Sequence, residues 1–125
     1  MKKIVIFGAS VGGQRTLQHL SESDPNCQVI RFSDNDANKH GGLLDEIPVI
    51  APDQLAQLEF DEIHIGSSYR EEISAQLREM GIAADKIRLV SDQVLNPIHQ
   101  EVQFPWGCFV PLVLVVGTIL YFTMR

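Results

Sequence analysis

The chain has 125 residues, 45 % of them hydrophobic and 21 % charged, with a formal net charge of −6. That is one domain's worth of chain, with material for a modest core. The acidic balance and the lack of any lysine or arginine cluster argue against nucleic acid as a partner, because neutralising phosphates takes clustered cations. Cys27 and Cys108 have no C-x-x-C spacing, and His19, His40, His64 and His99 are scattered without ligand spacing. Neither a disulfide framework nor a metal site is therefore expected.

At the N-terminus Lys2 and Lys3 lead straight into Ile4–Phe7, an apolar run too short for a signal peptide, so no secretory leader is expected. A continuous apolar run of this kind suits a strand buried on both faces of a parallel sheet. Gly8 follows at once, then Ser10, Val11, Gly12 and Gly13, before a helical stretch over 14–21. In a G-x-G-x-x-G turn the first glycine makes the bend, the second lets backbone approach a phosphate, and the third lets the helix pack close to its strand. Here those positions are Gly8, Ser10 and Gly13. The serine adds a Cβ where backbone should meet the ligand, and also a hydroxyl able to donate to phosphate. Behind the turn, a helix N-terminus offers unpaired N–H groups and a partial positive charge.

Glycine-rich strand-to-helix turns also occur without a nucleotide, and the acidic tip of the next strand is what gives this one its meaning. The second apolar run, Val29–Phe32, ends at Asp34-Asn35-Asp36, with Asp34 21 residues past Gly13. A carboxylate there accepts hydrogen bonds from the adenosine ribose hydroxyls of a dinucleotide such as NAD. The plainer reading of Asp-Asn-Asp is a solvated turn. Strand, glycine turn, helix, strand and acid in that order favour the nucleotide.

The polar stretch 37–45, containing Gly41-Gly42, reads as a loop. Ile47–Ile50 is a short apolar run whose Pro48 suits an edge strand and not a sheet centre. A short helix is expected from Pro52, with Leu55 and Leu58 as its apolar positions. Phe60–Ile65 reads as a further strand. It is followed by Gly66-Ser67-Ser68-Tyr69 and a helix to Met80, with Ser68 and Glu71 at capping-box spacing. Ile73, Leu77 and Met80 recur on one face, Gly81 closes the helix, and Lys86–Val90 is a last strand. Five strands alternating with helices give an α/β domain with a mostly parallel sheet, expected in the order 3-2-1-4-5. That order sets the Gly8 turn beside Ser67 and Ser68, which then line the far wall of a nucleotide cleft. Ser68 serves equally well as a plain helix cap.

From Phe104 to Met124 there are 21 residues without a charge. As a helix the run would extend ~31 Å, against a bilayer core of about 30 Å. Trp106 and Tyr121 suit an interfacial aromatic belt. Pro105 and Pro111 weigh against an unbroken helix, although membrane helices tolerate proline better than soluble ones. The expected organisation is a nucleotide-binding domain over 1–92, a linker over 93–103 and a single-pass transmembrane segment over 104–124. A hydrophobic helix packed on a partner subunit, or the stub of a longer chain, is the alternative. The anchored form would sit in the cell inner membrane with its nucleotide-binding domain in the cytoplasm, because an exported domain would be parted from its ligand.

KKIVIFGASVGG, FSDNDANKHG, IPVIAPDQL, FDEIHIGSSYREEISAQL and GIAADKIRLV, in that order over about residues 2–92, resemble a known family. It is the nucleotide-binding domain of bacterial polysaccharide-biosynthesis sugar-nucleotide epimerases and dehydratases. The resemblance implies a Rossmann-like fold and NAD or another adenosine nucleotide. It sets Gly8, Ser10, Gly12 and Gly13 on the phosphate turn and Asp34 on the ribose. The chain departs from the family in two ways: its apolar segment follows the domain instead of preceding it, and the Tyr-x-x-x-Lys pair of short-chain epimerases is missing. Tyr69 has Ile73 at +4 and Tyr121 has Arg125, so no lysine lowers a tyrosine pKa for proton transfer. The resulting expectation is a non-catalytic, membrane-anchored nucleotide-binding module working with an enzyme or membrane partner. The cofactor half of an epimerase, dehydratase or oxidoreductase, and the nucleotide-sensing domain of a membrane transport system, are the competing readings.

Overall fold

A computed structural model describes residues 1–96. Within them, residues 1–95 form one compact unit. Its elements alternate: β1 (Lys2–Phe7), α1 (Val11–Ser23), β2 (Cys27–Ser33), β3 (Leu43–Leu44), β4 (Ile47–Ile50), β5 (Glu62–Ile65), α2 (Arg70–Glu79), β6 (Ile87–Leu89) and α3 (Asp92–Leu95). Short 3₁₀ turns at Ala37–Lys39, Pro52–Gln57 and Ala84–Lys86 fill three of the connections.

The sheet has six strands in the order β3-β4-β2-β1-β5-β6. All pairings are parallel except β3 with β4. This differs from the expected five-strand order, because 37–45 is not all loop. Leu43 and Leu44 turn back as an antiparallel strand on the outer side of β4, which is therefore next to the edge and not at it. Pro48 is tolerated because β4 pairs with β2 only from Val49 onward. The backbone N–H and carbonyl of Val49 are both taken up by the hairpin, at Gly42 and Gly41. The expected helix from Pro52 is a 3₁₀ segment that still buries Leu55.

Alternation along β1 divides the core in two. Ile4 and Ile6 face α1 with Leu20, Phe32 and Val49, whereas Val5 and Phe7 face α2 with Leu55, Ile63, Ile65, Ile73 and Leu77. Burying each such side chain contributes about 1.5–3 kcal/mol, so both helices are held mainly by these faces. α2 begins at Arg70 with Tyr69 as its N-cap and no side-chain cap bond. The expected Ser68–Glu71 capping box does not form; instead the Ser67 hydroxyl accepts from the Tyr69 N–H at 3.2 Å. The other end of α2 closes as its glycine requires. Gly81 has φ +94°, its N–H donates to the Arg78 carbonyl, and Ile82 N–H donates to that of Leu77, the paired bonds of a Schellman stop. Met80, expected on the buried face, is exposed.

Among the described residues no helix is long and apolar enough to cross a membrane. The transmembrane segment expected over 104–124 lies outside the described residues, as do Cys108 and His99.

Candidate nucleotide site

Parallel pairing brings the carboxyl ends of β2, β1, β5 and β6 abreast. Phe7 stands between Ser33 and Ile65 in register, and Ile65 beside Leu89. The chain leaves β1 for β2 on one side and enters β5 on the other, so the strand order reverses between β1 and β5, where ligands bind in such sheets. The backbone is knitted across this end. Gly8 N–H donates to the Ser33 carbonyl at 2.7 Å, Gly66 N–H to that of Phe7 at 2.9 Å, and Val90 N–H to that of Ile65 at 3.3 Å.

Four glycines make the crossing compact. A Cβ on Gly13 would overlap the Gly8 carbonyl oxygen, and one on Gly12 would overlap that of Gly66. One on Gly8, whose φ of +119° already favours glycine, would stand 2.9 Å from the same Gly66 oxygen. A Cβ on Gly66 would meet the Thr16 hydroxyl at 2.6 Å. The first turn of α1 is thus pressed onto the ends of β1 and β5, backbone against backbone. Its leading N–H groups, at Val11, Gly12 and Gly13, have no partner within the helix, and no acidic residue lies in that turn to compete with an anion. Ser10 is the N-cap, extended at φ −151°, exposed, and without a side-chain cap bond. Its hydroxyl remains free for a ligand, while its carbonyl accepts from Gln14 N–H at 2.9 Å.

Asp34, directly after β2, lies against the same turn. Its Oδ2 accepts from Ala9 N–H at 2.7 Å and its Oδ1 from Asp36 N–H at 2.8 Å. Lys39 Nζ stands 3.8 Å from Oδ2, and the His40 ring nitrogen Nε2 lies 2.6 Å from the Asp34 carbonyl oxygen. A carboxylate has about four acceptor sites, so two backbone bonds leave acceptor capacity for ribose hydroxyls. Asn35, expected beside it at the ligand, is engaged elsewhere: it makes a reciprocal amide pair with Gln76 of α2, at 3.0 and 2.9 Å. Ser67 lies across the turn, its Cβ 3.7 Å from where a Cβ of Gly8 would be. Ser68 is exposed.

The structure therefore brings Gly8, Ser10, Val11, Gly12, Gly13, Asp34 and Ser67 to one end of the sheet. Sequence reasoning missed Ala9, Gly66 and Arg70. Gly66 was findable, since it follows an apolar strand as Gly8 does. Ala9 acts through its backbone N–H, which no side-chain pattern announces. Arg70 Nη1 lies 2.8 Å from Asp92 Oδ1, joining α2 to α3 over a separation that sequence spacing does not encode. Among the described residues no group of three or more His, Cys, Asp or Glu side chains is placed to hold a metal ion.

Fold and crossover define a Rossmann-type α/β domain. The chain belongs to the C2185-like N-terminal family, whose model matches residues 1–88. Solved structures share the fold. UDP-D-quinovosamine 4-dehydrogenase from Vibrio fischeri superposes with a TM-score of 0.61 at 20 % identity, covering 78 % of this chain and 85 % of that one. RSP, a Rex-family repressor, superposes with a TM-score of 0.57 at 13 % identity, covering 81 % of this chain and 57 % of that one. RSP in complex with β-NAD+ and operator DNA gives 0.55 at 13 %, covering 81 % and 55 %. This chain thus spans little more than half the length of the repressor. No curated protein sequence gives a significant match.

Proposed function

We propose that this domain is a non-catalytic binding module for NAD or another adenosine nucleotide. The observation that carries the reading is the bond from Ala9 N–H to Asp34 at 2.7 Å. It fixes the ribose-accepting carboxylate one residue from the glycine turn, at the point where the strand order reverses. The pyrophosphate would lie on the N–H groups of Val11, Gly12 and Gly13, with the Ser10 hydroxyl donating to it. The ribose hydroxyls would donate to the remaining acceptor sites of Asp34, and Ser67 would line the opposite wall. Asn35 would reach the ligand only by giving up Gln76. The likeness to one protein, RSP, crystallised with β-NAD+ and with β-NADH, supports this choice of ligand through the shared fold.

The sequence carries no Tyr-x-x-x-Lys pair, so the module would serve a partner and not perform proton transfer itself. Its resemblance to sugar-nucleotide epimerase domains favours a partner in envelope polysaccharide synthesis. The uncharged run 104–124 favours an inner-membrane anchor for a cytoplasmic domain; the domain runs to Leu95, so the linker expected from 93 begins only after α3.

Calorimetric titration of the full chain with NAD, NADP, ATP and coenzyme A tests the site. A 2′-phosphate placed ~4 Å from Asp34 costs about 1 kcal/mol in water and more at lower dielectric, so NAD should bind about tenfold more tightly than NADP. Lys39 softens the contrast without removing it. In Asp34→Ala the preference should collapse. Equal affinities for NAD and NADP in the unsubstituted chain would remove the ribose assignment.

A further inference from the structure

A dinucleotide in a Rossmann crevice needs both halves of the sheet. The adenosine half lies toward β2, and the second nucleoside extends over the ends of the strands beyond the switch point. In this domain those strands are β5 and β6, and α3 follows directly on β6 and packs against α1. The chain leaves β6 at Val90, turns at Ser91, whose carbonyl accepts from the N–H groups of Val94 and Leu95 at 3.1 and 3.2 Å, and comes back to α1. Leu95 is buried, and its Cδ2 lies 3.4 Å from the position a Cβ on Gly12 would take. This leucine therefore packs where α1, β1 and β5 converge.

Both ends of α3 are tied. At its start Asp92, its side chain largely exposed, forms an ion pair with Arg70 Nη1 of α2 at 2.8 Å, without hydrogen-bond geometry and so a weak tie. At its finish the Leu95 carbonyl accepts from Arg15 Nη1 of α1 at 2.5 Å, with a cation at the negative end of the helix, where the backbone dipoles favour it. The two ties come from opposite faces of the sheet, since α1 packs with Ile4 and Ile6 and α2 with Val5 and Phe7. Below α3 a cavity of about 270 Å³ remains, lined by Thr16, Leu20, His64, Val90 and Val94 among others. It lies between α1, β5, β6 and α3 and does not include the glycine turn.

We infer that the site takes only the adenosine-diphosphate half of its ligand, because α3, held by Arg70–Asp92 and Arg15–Leu95, covers the place where the second nucleoside of a dinucleotide would be held. This rests on the nucleotide reading above and narrows it. ADP, ADP-ribose and NAD share the half that Asp34 and the turn of α1 contact, and whatever lies beyond the second phosphate finds no enclosing site among the described residues.

The test titrates the full chain, kept in a mild non-ionic detergent, with ADP, ADP-ribose and NAD, and follows NADH emission in parallel. The expected result is that ADP binds and NAD affinity lies within fivefold of it, with NADH displaced by ADP and its bound emission neither shifted nor enhanced. NAD binding more than fivefold tighter than ADP, or a blue-shifted and enhanced emission on binding, would show the nicotinamide half enclosed and overturn the inference while leaving the site intact. Binding by none of the three would instead remove the site itself. As a second arm, Asp92→Ala with Leu95→Ala should loosen α3 and raise NAD affinity relative to ADP. An unchanged ratio in a folded variant would show that α3 is not what excludes the second half.

Discussion

At Gly13 a methyl group has nowhere to go. It would overlap the carbonyl oxygen of Gly8, with a ring carbon of Phe32 3.1 Å away, so either α1 must lift from β1 or the turn must open. Overpacking of this sort costs about 1–3 kcal/mol and sometimes more. At about 4–8 °C per kcal/mol for a domain of this size, Gly13→Ala should lower Tm by roughly 10 °C or more, with nucleotide binding lost alongside. Ser10 is the contrasting neighbour: exposed, extended and without a cap bond. Ser10→Gly should cost only a few tenths of a kcal/mol and hold or improve affinity. A stable Ser10→Gly protein that no longer binds nucleotide would make the hydroxyl itself a required phosphate ligand. Side by side in one turn, one position is fixed by packing and the other is left to the ligand.

β5 holds a charged cluster on α1's face of the sheet. Glu62 and His64, two residues apart and hence on one face, project to α1's side in register with Ile4 and Ile6. His64 Nε2 lies 3.0 Å from Glu62 Oε1, while Arg88 of β6 and Lys2 of β1 lie 3.3 and 3.5 Å from Oε2. Glu62 thereby links three neighbouring strands. Burial pushes the His64 imidazole below its ordinary range, although its bond to Glu62 pulls the other way. Burial likewise works to raise Glu62, but His64, Lys2 and Arg88 together leave its carboxyl below the usual value. Because the fold favours neutral His64, its contribution to stability is complete above the unfolded value of 6.5 and is lost as pH falls from there toward the lower folded value. Glu62 adds a second loss below its unfolded value of 4.5. The urea midpoint should accordingly drop between pH 7.5 and 5.5, and drop less in His64→Gln. Parallel profiles for the two proteins would mean that His64 protonates within the fold at no cost.

For the molecule as a whole, the outstanding matter is what the uncharged run 104–124 does. Arg125 is the only charge beyond Glu101 in this sequence, and one arginine is a weak topological determinant against the cytoplasmic placement that the proposed nucleotide ligand favours. On the proposed reading, a single span over 104–124 with residues 1–103 on the cytoplasmic side is the expected arrangement. Deleting Phe104–Arg125 should then release a domain that needs no detergent and keeps its nucleotide affinity within about twofold, a difference of ~0.4 kcal/mol. The full chain should sediment with membranes. Recovery of the full chain as a detergent-free monomer would send the apolar run back to the domain surface and end the anchor reading.

The sequence alone determined the alternation of strands and helices, the glycine turn and the acid at the tip of β2. Each of these is local: an apolar run such as Ile4–Phe7, a glycine following a strand, or a stop at Gly81 is written in a few consecutive residues and enforced by sterics and burial within them. Tertiary structure decided the rest. The two-residue β3 is too short to carry a period and exists only because β4 offers it an edge. Ser68 loses its expected capping bond because α2 starts at Arg70. Asn35 turns to Gln76, 41 residues away, and Asp34 is oriented by the N–H of Ala9, a group that every residue except proline has. Above all, the covering of the second half of the crevice depends on Leu95 meeting Gly12 and Arg15 reaching Leu95 across 80 residues. No spacing encodes such contacts, because they are fixed by where the sheet register carries each chain end.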